Sequence, residues 1–237
     1  NITIRNIHIN PTGTTNTATS KGILVGQGAS NVTIVNVSIN NFAEGQIYYG
    51  IHVHFESSNG RRAQSVNITG NTIVTSGASN QGINFGIHLD QAGNDSIIFG
   101  NNISTTGNST SLGNDGMNID RTYRVRIVNN NVTYSGAGTS GGTGTMGIRV
   151  DNDGGGHNIS NNLLRPGTLK NTDNRGIYIF AGSGYYLYNN TILDSPGNSI
   201  DISGGDAVIE KGLINNTSLN GAAVFISGSA SVTLINI

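Results

Sequence analysis
The sequence predicts an all-β fold: one parallel β-solenoid of about eight coils, each of three short strands, filling residues 1–237 as a single domain. Three observations predict it. A Gly-Ile-x-Val segment returns roughly every 30 residues. Apolar and polar residues alternate with a period of two, and no stretch sustains a helical period. Asparagine falls at one fixed point of each repeat.

The first repeat reads Gly22-Ile23-Leu24-Val25, Gly50-Ile51-His52-Val53, Gly86-Ile87-His88-Leu89, Gly116-Met117-Asn118-Ile119, Gly147-Ile148-Arg149-Val150 and Gly176-Ile177-Tyr178-Ile179. Degenerate copies follow at Ile200-Asp201-Ile202 and Val224-Phe225-Ile226. Successive starts lie 28, 36, 30, 31 and 29 residues apart. Such a period means stacked units that cannot bury their apolar faces alone. The glycine before each Ile is expected to allow a bend with positive φ.

The second repeat, apolar-x-Ile-x-Asn-Asn-x-Ile, interleaves with the first. Its clear copies start at Val66, Ile97 and Val125, and Ile159–Leu163 and Leu187–Ile192 continue it. Stacked in register, equivalent residues lie about 4.8 Å apart. Ile23, Ile51, Ile87, Met117, Ile148, Ile177, Ile200 and Val224 then form one interior column. Ile34, Ile68, Ile98, Ile127, Ile159, Leu187, Ile209 and Leu234 form another. Asn71, Asn101, Asn130, Asn162 and Asn190 form a ladder at a strand bend, with amides bonded up and down the stack.

On this repeat and this ladder the chain resembles the right-handed parallel β-helix (pectin-lyase-like) superfamily over essentially its whole length. The resemblance and the rule for parallel crossovers imply right-handed coiling. The superfamily includes polysaccharide lyases, glycoside hydrolases, sugar epimerases, tailspikes, adhesins and surface proteins, and fold does not choose among them. The combination of Asn-Thr-Asp with Gly-His-Gly and Arg-Ile-Lys that polygalacturonases carry is absent, as are the Asp-Pro-His of alginate epimerases and the Gly-Gly-x-Gly-x-Asp calcium roll.

Charged residues make up 11% of the chain and net charge is −1. With no basic stripe interleaved with aromatics, nucleic acid is not an expected partner. No 18-residue apolar run exists, so no membrane span is expected. Cysteine is absent, which excludes disulfides and thiolate metal sites. With no signal peptide, the sequence reads as a mature or excised chain. The Asn-, Gly-, Ser- and Thr-rich composition suits an extracellular or cell-surface solenoid. Of twelve Asn-x-Ser/Thr triplets, those at Asn94 and Asn108 fall in predicted loops and are the candidate glycosylation sites.

Chemistry gathers on one outward face. One column reads Leu24, His52, His88, Asn118, Arg149, Tyr178, Asp201 and Phe225. Its neighbour reads Gly26, His54, Asp90, Asp120, Asp151, Phe180, Ser203 and Ser227. Stacked carboxylates repel, so either a cation neutralises them or one keeps a raised pKa. Arg149, the histidines or a Ca2+ ion could supply the counter-charge. No cofactor is required by any motif.

Two readings of this patch stand side by side. In one, each Asp caps the next turn. In the other, which the resemblance suggests, Asp90, Asp120 and Asp151 work as acid and base on a sugar. His88 or Arg149 would then steady an anionic substrate, and His52, His54, Asn118 and Tyr178 would contact it. Asp151–His157 has the look of a calcium loop but lacks the later Glu and reads as a tight connection. Thr133–Gly147 reads as a loop, and His8 and His157 are given no role.

The ends show no polar cap. The leading expectation is therefore an extracellular structural protein that self-associates end to end or side by side through its solenoid edges. A polysaccharide-active enzyme and a glycan-binding adhesin are the alternatives.

Overall fold
A computed structural model describes residues 1–10, 19–26, 28–42, 47–55, 62–77, 83–107, 114–136, 144–151, 154–168, 173–215 and 221–237. None of these residues is helical. The strands fall into three sheets of nine, eight and eight, and each strand pairs with the one three places along the chain. Every strand pairing is parallel, as a solenoid requires. The all-β parallel β-solenoid is therefore the fold.

The first sheet runs from Ile2–Arg5 to Ser231–Ile235, the second from His8–Ile9 to Leu213–Asn215, and the third from Thr19–Val25 to Val224–Ile226. The Gly-Ile-x-Val repeat builds the third sheet. Its register pairs Ile23 with Ile51, Ile51 with Ile87, Ile87 with Met117, and so on to Val224. The first-sheet column runs in the same way from Ile34 to Leu234. Both columns are almost wholly buried, although Leu234, on the last strand, is 48% exposed. Each fully buried Ile contributes about 1.5–3 kcal/mol of transfer free energy.

The asparagine ladder forms at the bend between the first and second sheets. Asn101 accepts from the backbone N–H and the amide of Asn71, both at 2.9 Å. It donates to Asn130 at 2.9 Å and to the Ile68 carbonyl at 2.9 Å. Asn130 and Asn162 repeat the pattern with their successors. Two acceptor bonds and two donor bonds satisfy each of these inner amides, which is why so many asparagines are tolerated in a dry core.

The residue before each ladder asparagine takes the left-handed conformation. Gly70, Gly100, Asn129, Asn161 and Asn189 have φ between 50° and 64°, as has Asn36 at the equivalent bend before Val37. Asn and Gly tolerate this region better than other residues. That overturns the expectation for the glycines before Ile, none of which has positive φ. They are needed for space. A Cβ on Gly50, Gly86, Gly116 or Gly147 would lie 2.5–2.7 Å from the carbonyl oxygen of the next repeat's glycine.

A second polar ladder lies at the entry to the third sheet, where buried Asn84, Asn114, Thr145 and Asn174 connect successive coils. The predicted loop Thr133–Gly147 is a strand at both ends, Asn131–Ser135 and Met146–Asp151; residues 137–143 lie outside the described residues. The Asp151–His157 segment is likewise described only in part. Its His157 is a buried structural residue whose Nδ1 accepts the Val125 N–H at 2.9 Å. The longest strands belong to the third sheet. Ile47–His54 and Ile83–Asp90 have eight residues each, against three for Asn67–Thr69 of the first sheet, so the third sheet offers the broadest outer face.

Candidate functional site
Both predicted outward columns form. His52, His88, Asn118, Arg149 and Tyr178 are successive register partners, as are His54, Asp90, Asp120 and Asp151. Alternation along each strand turns these side chains away from the core. Several are nevertheless covered by neighbours. His52 is 4% exposed, Asn118 5% and Asp201 2%. The strip is thus a packed layer outside the sheet rather than a row of free side chains.

At one end the strip is aromatic. The Tyr49 ring stacks on His52 at 4.2 Å, and His88 stacks on His52 at 5.0 Å with the rings 3° apart. Phe85 closes over His88 at 4.8 Å. Beside this stack, His54 Nδ1 lies 2.9 Å from Asp90 Oδ2, and His52 Nε2 lies 3.8 Å from the same oxygen. Burial lowers the pKa of His52 and pushes His88 down to about 3, so both rings are neutral near pH 7. The imidazoles of His52, His88 and His54 hold Asp90 well below the usual carboxylate range, against the opposing effect of burial.

The centre of the strip is ionic. The Arg121 guanidinium grips Asp120 with three N–H···O bonds of 2.8–3.1 Å. Arg149 Nε meets Asp151 Oδ2 at 2.5 Å, and its Nη1 lies 3.9 Å from Asp115 Oδ2. Asp115 is 1% exposed, and its other oxygen accepts the Met146 N–H at 3.0 Å. Burial pushes the Asp115 carboxyl up to about 7, opposed by Arg149. Burial likewise raises Asp151 above its ordinary value in spite of Arg149. Burial disfavours the charge on Arg149, but Asp115 and Asp151 outweigh it and its pKa is raised.

At the far end, Arg175 pairs with Asp201 at 2.8 Å and lies over the Tyr178 ring at 4.8 Å. Asn198 donates to Asp201 at 3.0 Å.

The structure therefore places His52, His54, His88, Asp90, Asn118, Asp120, Arg149, Asp151 and Tyr178 on one continuous strip. Asp90, Asp120 and Asp201 each have an imidazole or guanidinium partner, and Asp151 shares Arg149 with Asp115. Tyr49, Phe85, Asp115 and Arg175 complete the strip; Asp115, like Arg121, lies close in sequence to the predicted patch, and the other three escaped the sequence reading. Tyr49, Asp115 and Arg175 each stand immediately before the repeat's glycine, as does Phe85, and that shared position was the available signal. Of the two glycosylation candidates, Asn94 is half-buried and its Oδ1 accepts the Tyr123 N–H at 3.0 Å. Asn108 lies outside the described residues.

Comparison with described protein families, with curated proteins and with solved structures finds no match to this chain.

Proposed function
We propose that this chain is a polysaccharide-active enzyme of the pectin-lyase-like β-helix kind, working outside the cell or at its surface on the outer face of the third sheet. The observation that carries the reading is the segregation of costly charge. His88, Asp115 and Asp151 all have protonation equilibria displaced by burial, and all lie on this one strip. Titratable groups displaced in this way cluster at catalytic sites, where a pKa is matched to its task.

The environments of the two central carboxyl groups divide the work between them. Asp151 has a raised pKa and is suited to hold a proton as general acid. Asp120, fixed by Arg121, is suited to act as base or nucleophile. Arg149 supplies the positive charge for an acidic sugar. His88 is neutral near pH 7 and serves only as a hydrogen-bonding and stacking surface. A linear polymer laid along the solenoid axis meets an equivalent position at every coil, about 4.8 Å apart, which suits a repeating substrate.

The test is incubation of the chain with acidic and neutral polysaccharides. New chain ends report a hydrolase or lyase, unsaturated ends a lyase alone, and altered sugar resonances an epimerase. Turnover by the native chain, reduced about 100-fold or more in folded Asp151→Asn and Asp120→Asn, is the expected result. No reaction on any polymer, or full turnover by both variants, sinks the reading.

A second reading, side-by-side assembly, is favoured by apolar side chains exposed on and beside the outer face of the third sheet: Leu24 at 53%, Phe180 at 46% and Phe225 at 44%. Electron microscopy of the purified chain tests it, with dispersed monomers at high concentration as the contrary result.

A further inference from the structure
The aromatic end of the strip holds a constellation to which the division of acid and base between Asp151 and Asp120 gives no role. His52 and His54 are two apart on the strand Ile47–His54, so both rings leave the same face of the sheet. Asp90, on the neighbouring strand, is the register partner of His54. One ligand atom from each of the three lies within 4.8 Å of the others.

We propose that His52, His54 and Asp90 form a binding site for a divalent transition-metal cation of the imidazole-preferring class, such as Zn2+ or Co2+.

Three features of the site argue for this. First, His52 is buried, yet neither of its ring nitrogens has a hydrogen-bond partner. Its Nε2 stands 3.8 Å from Asp90 Oδ2, beyond hydrogen-bond reach. An ordinary surface His–Asp pair accounts for His54 and leaves His52 unexplained. A metal ion between the three groups accounts for both. Second, the spacing suits it. Zn–N and Zn–O lengths of about 2.0–2.2 Å place ligand atoms about 3–3.5 Å apart. The two pairs to Asp90, at 2.9 and 3.8 Å, bracket that value, and all three ligand atoms lie within 4.8 Å of one another.

Third, the ring orientation is fixed in advance. His52 packs near-parallel against Tyr49 at 4.2 Å and His88 at 5.0 Å, and those two rings lie 5.3 Å from each other. Such a packed surround pre-organises a ligand. The donor set selects the metal class. Two imidazoles and one carboxylate suit zinc, cobalt or iron, whereas Ca2+ takes oxygen ligands. His54 and Asp90 keep 39% and 22% of their side-chain surface exposed, so further coordination positions face solvent. Three protein ligands with an open position is the pattern of a reactive rather than a closed structural site.

This inference does not depend on the polysaccharide reading, and its test needs no turnover. The untagged full chain is stripped with a chelator, dialysed and titrated with ZnCl2 by calorimetry and with CoCl2 by visible absorption. One ion per chain is expected, with His54→Ala and Asp90→Asn each weakening binding at least about tenfold. His54 is partly exposed, so its variant is expected to keep the wild-type circular dichroism. His8→Ala, at an exposed histidine of the second sheet, is expected to bind as the native chain does. No saturable binding, equal binding by the native chain and the His54 and Asp90 variants, or preference for CaCl2 would overturn the site.

Discussion
The asparagine ladder and the third-sheet strip are built by the same device, register-locked stacking, and come to opposite ends. In the ladder the same residue recurs from Asn71 to Asn190, and every inner amide finds two donors or acceptors above and below. In the strip the partners change at every coil: His52, His88, Asn118, Arg149, Tyr178. The result is pairing across columns, buried charge, and an imidazole with no hydrogen bond. Identical stacking satisfies itself and stabilises the coil. Non-identical stacking leaves chemical potential on the surface.

The largest effect expected from breaking this contrast is at Asn130. Asn130→Ala leaves the Asn101 N–H without its acceptor and takes one bond each from the Asn101 amide, the Asn162 oxygen and the Ile98 carbonyl. At about 1–3 kcal/mol for the buried N–H left unpaired and about 0.5–1.5 kcal/mol for each of the other lost bonds, urea unfolding is expected to show a loss of about 3–5 kcal/mol. A loss below 1 kcal/mol would make the ladder ornamental.

Gly116→Ala comes next. Its new methyl meets the Gly147 carbonyl at 2.6 Å, and a loss of about 2–4 kcal/mol in the same measurement is expected. A neutral result would return these glycines to a purely conformational role.

Asp115→Asn sharpens the comparison from the side of the strip. The folded pKa of about 7 lies above the ordinary 3.8, so the native state binds more protons between these values. Stability from protonated Asp115 is present at low pH and is lost as pH rises through about 7. The native chain is therefore expected to lose about 1–3 kcal/mol relative to the variant between pH 4 and pH 8. Parallel stability curves for the two proteins would contradict the buried-acid assignment.

The smallest effect is at Asn131, next along the chain from Asn130. Its amide bonds Asn102 at 3.0 Å on the outside of the solenoid, where water replaces the bond. Asn131→Ala is expected to stay within about 0.5 kcal/mol of the native chain. A cost like that of Asn130→Ala would show that stacking itself, and not burial, stabilises the ladders.

Most of the fold was legible because stacking turns a linear repeat directly into columns. The Ile columns, the ladder and the strip's two columns needed only counting. Three things were not legible. The glycine role depends on how closely neighbouring coils approach, which no single coil reveals. The left-handed residues are mostly the first asparagine of each Asn-Asn pair, and the sequence does not say which of the two enters the core. His52 is covered by Tyr49 of its own strand and His88 of the next coil, and Asp115 is covered by Arg149 of the next coil, so an outward position is not an exposed one. The ladder through Asn84, Asn114, Thr145 and Asn174 was visible in principle. An Asn or Thr two residues before the glycine recurs in four repeats.

The register itself has an evolutionary consequence. Because every strand pairs with the strand three places on, whole coils can be gained or lost by duplication or deletion without disturbing any column, whereas a one-residue slip inside a strand turns its inner and outer faces over. A coil inserted between Ile83–Asp90 and Asn114–Asp120 would part the histidine cluster from the carboxylate pair while leaving each intact. The two halves of the strip are therefore separable inheritances, free to be re-spaced in steps of one coil.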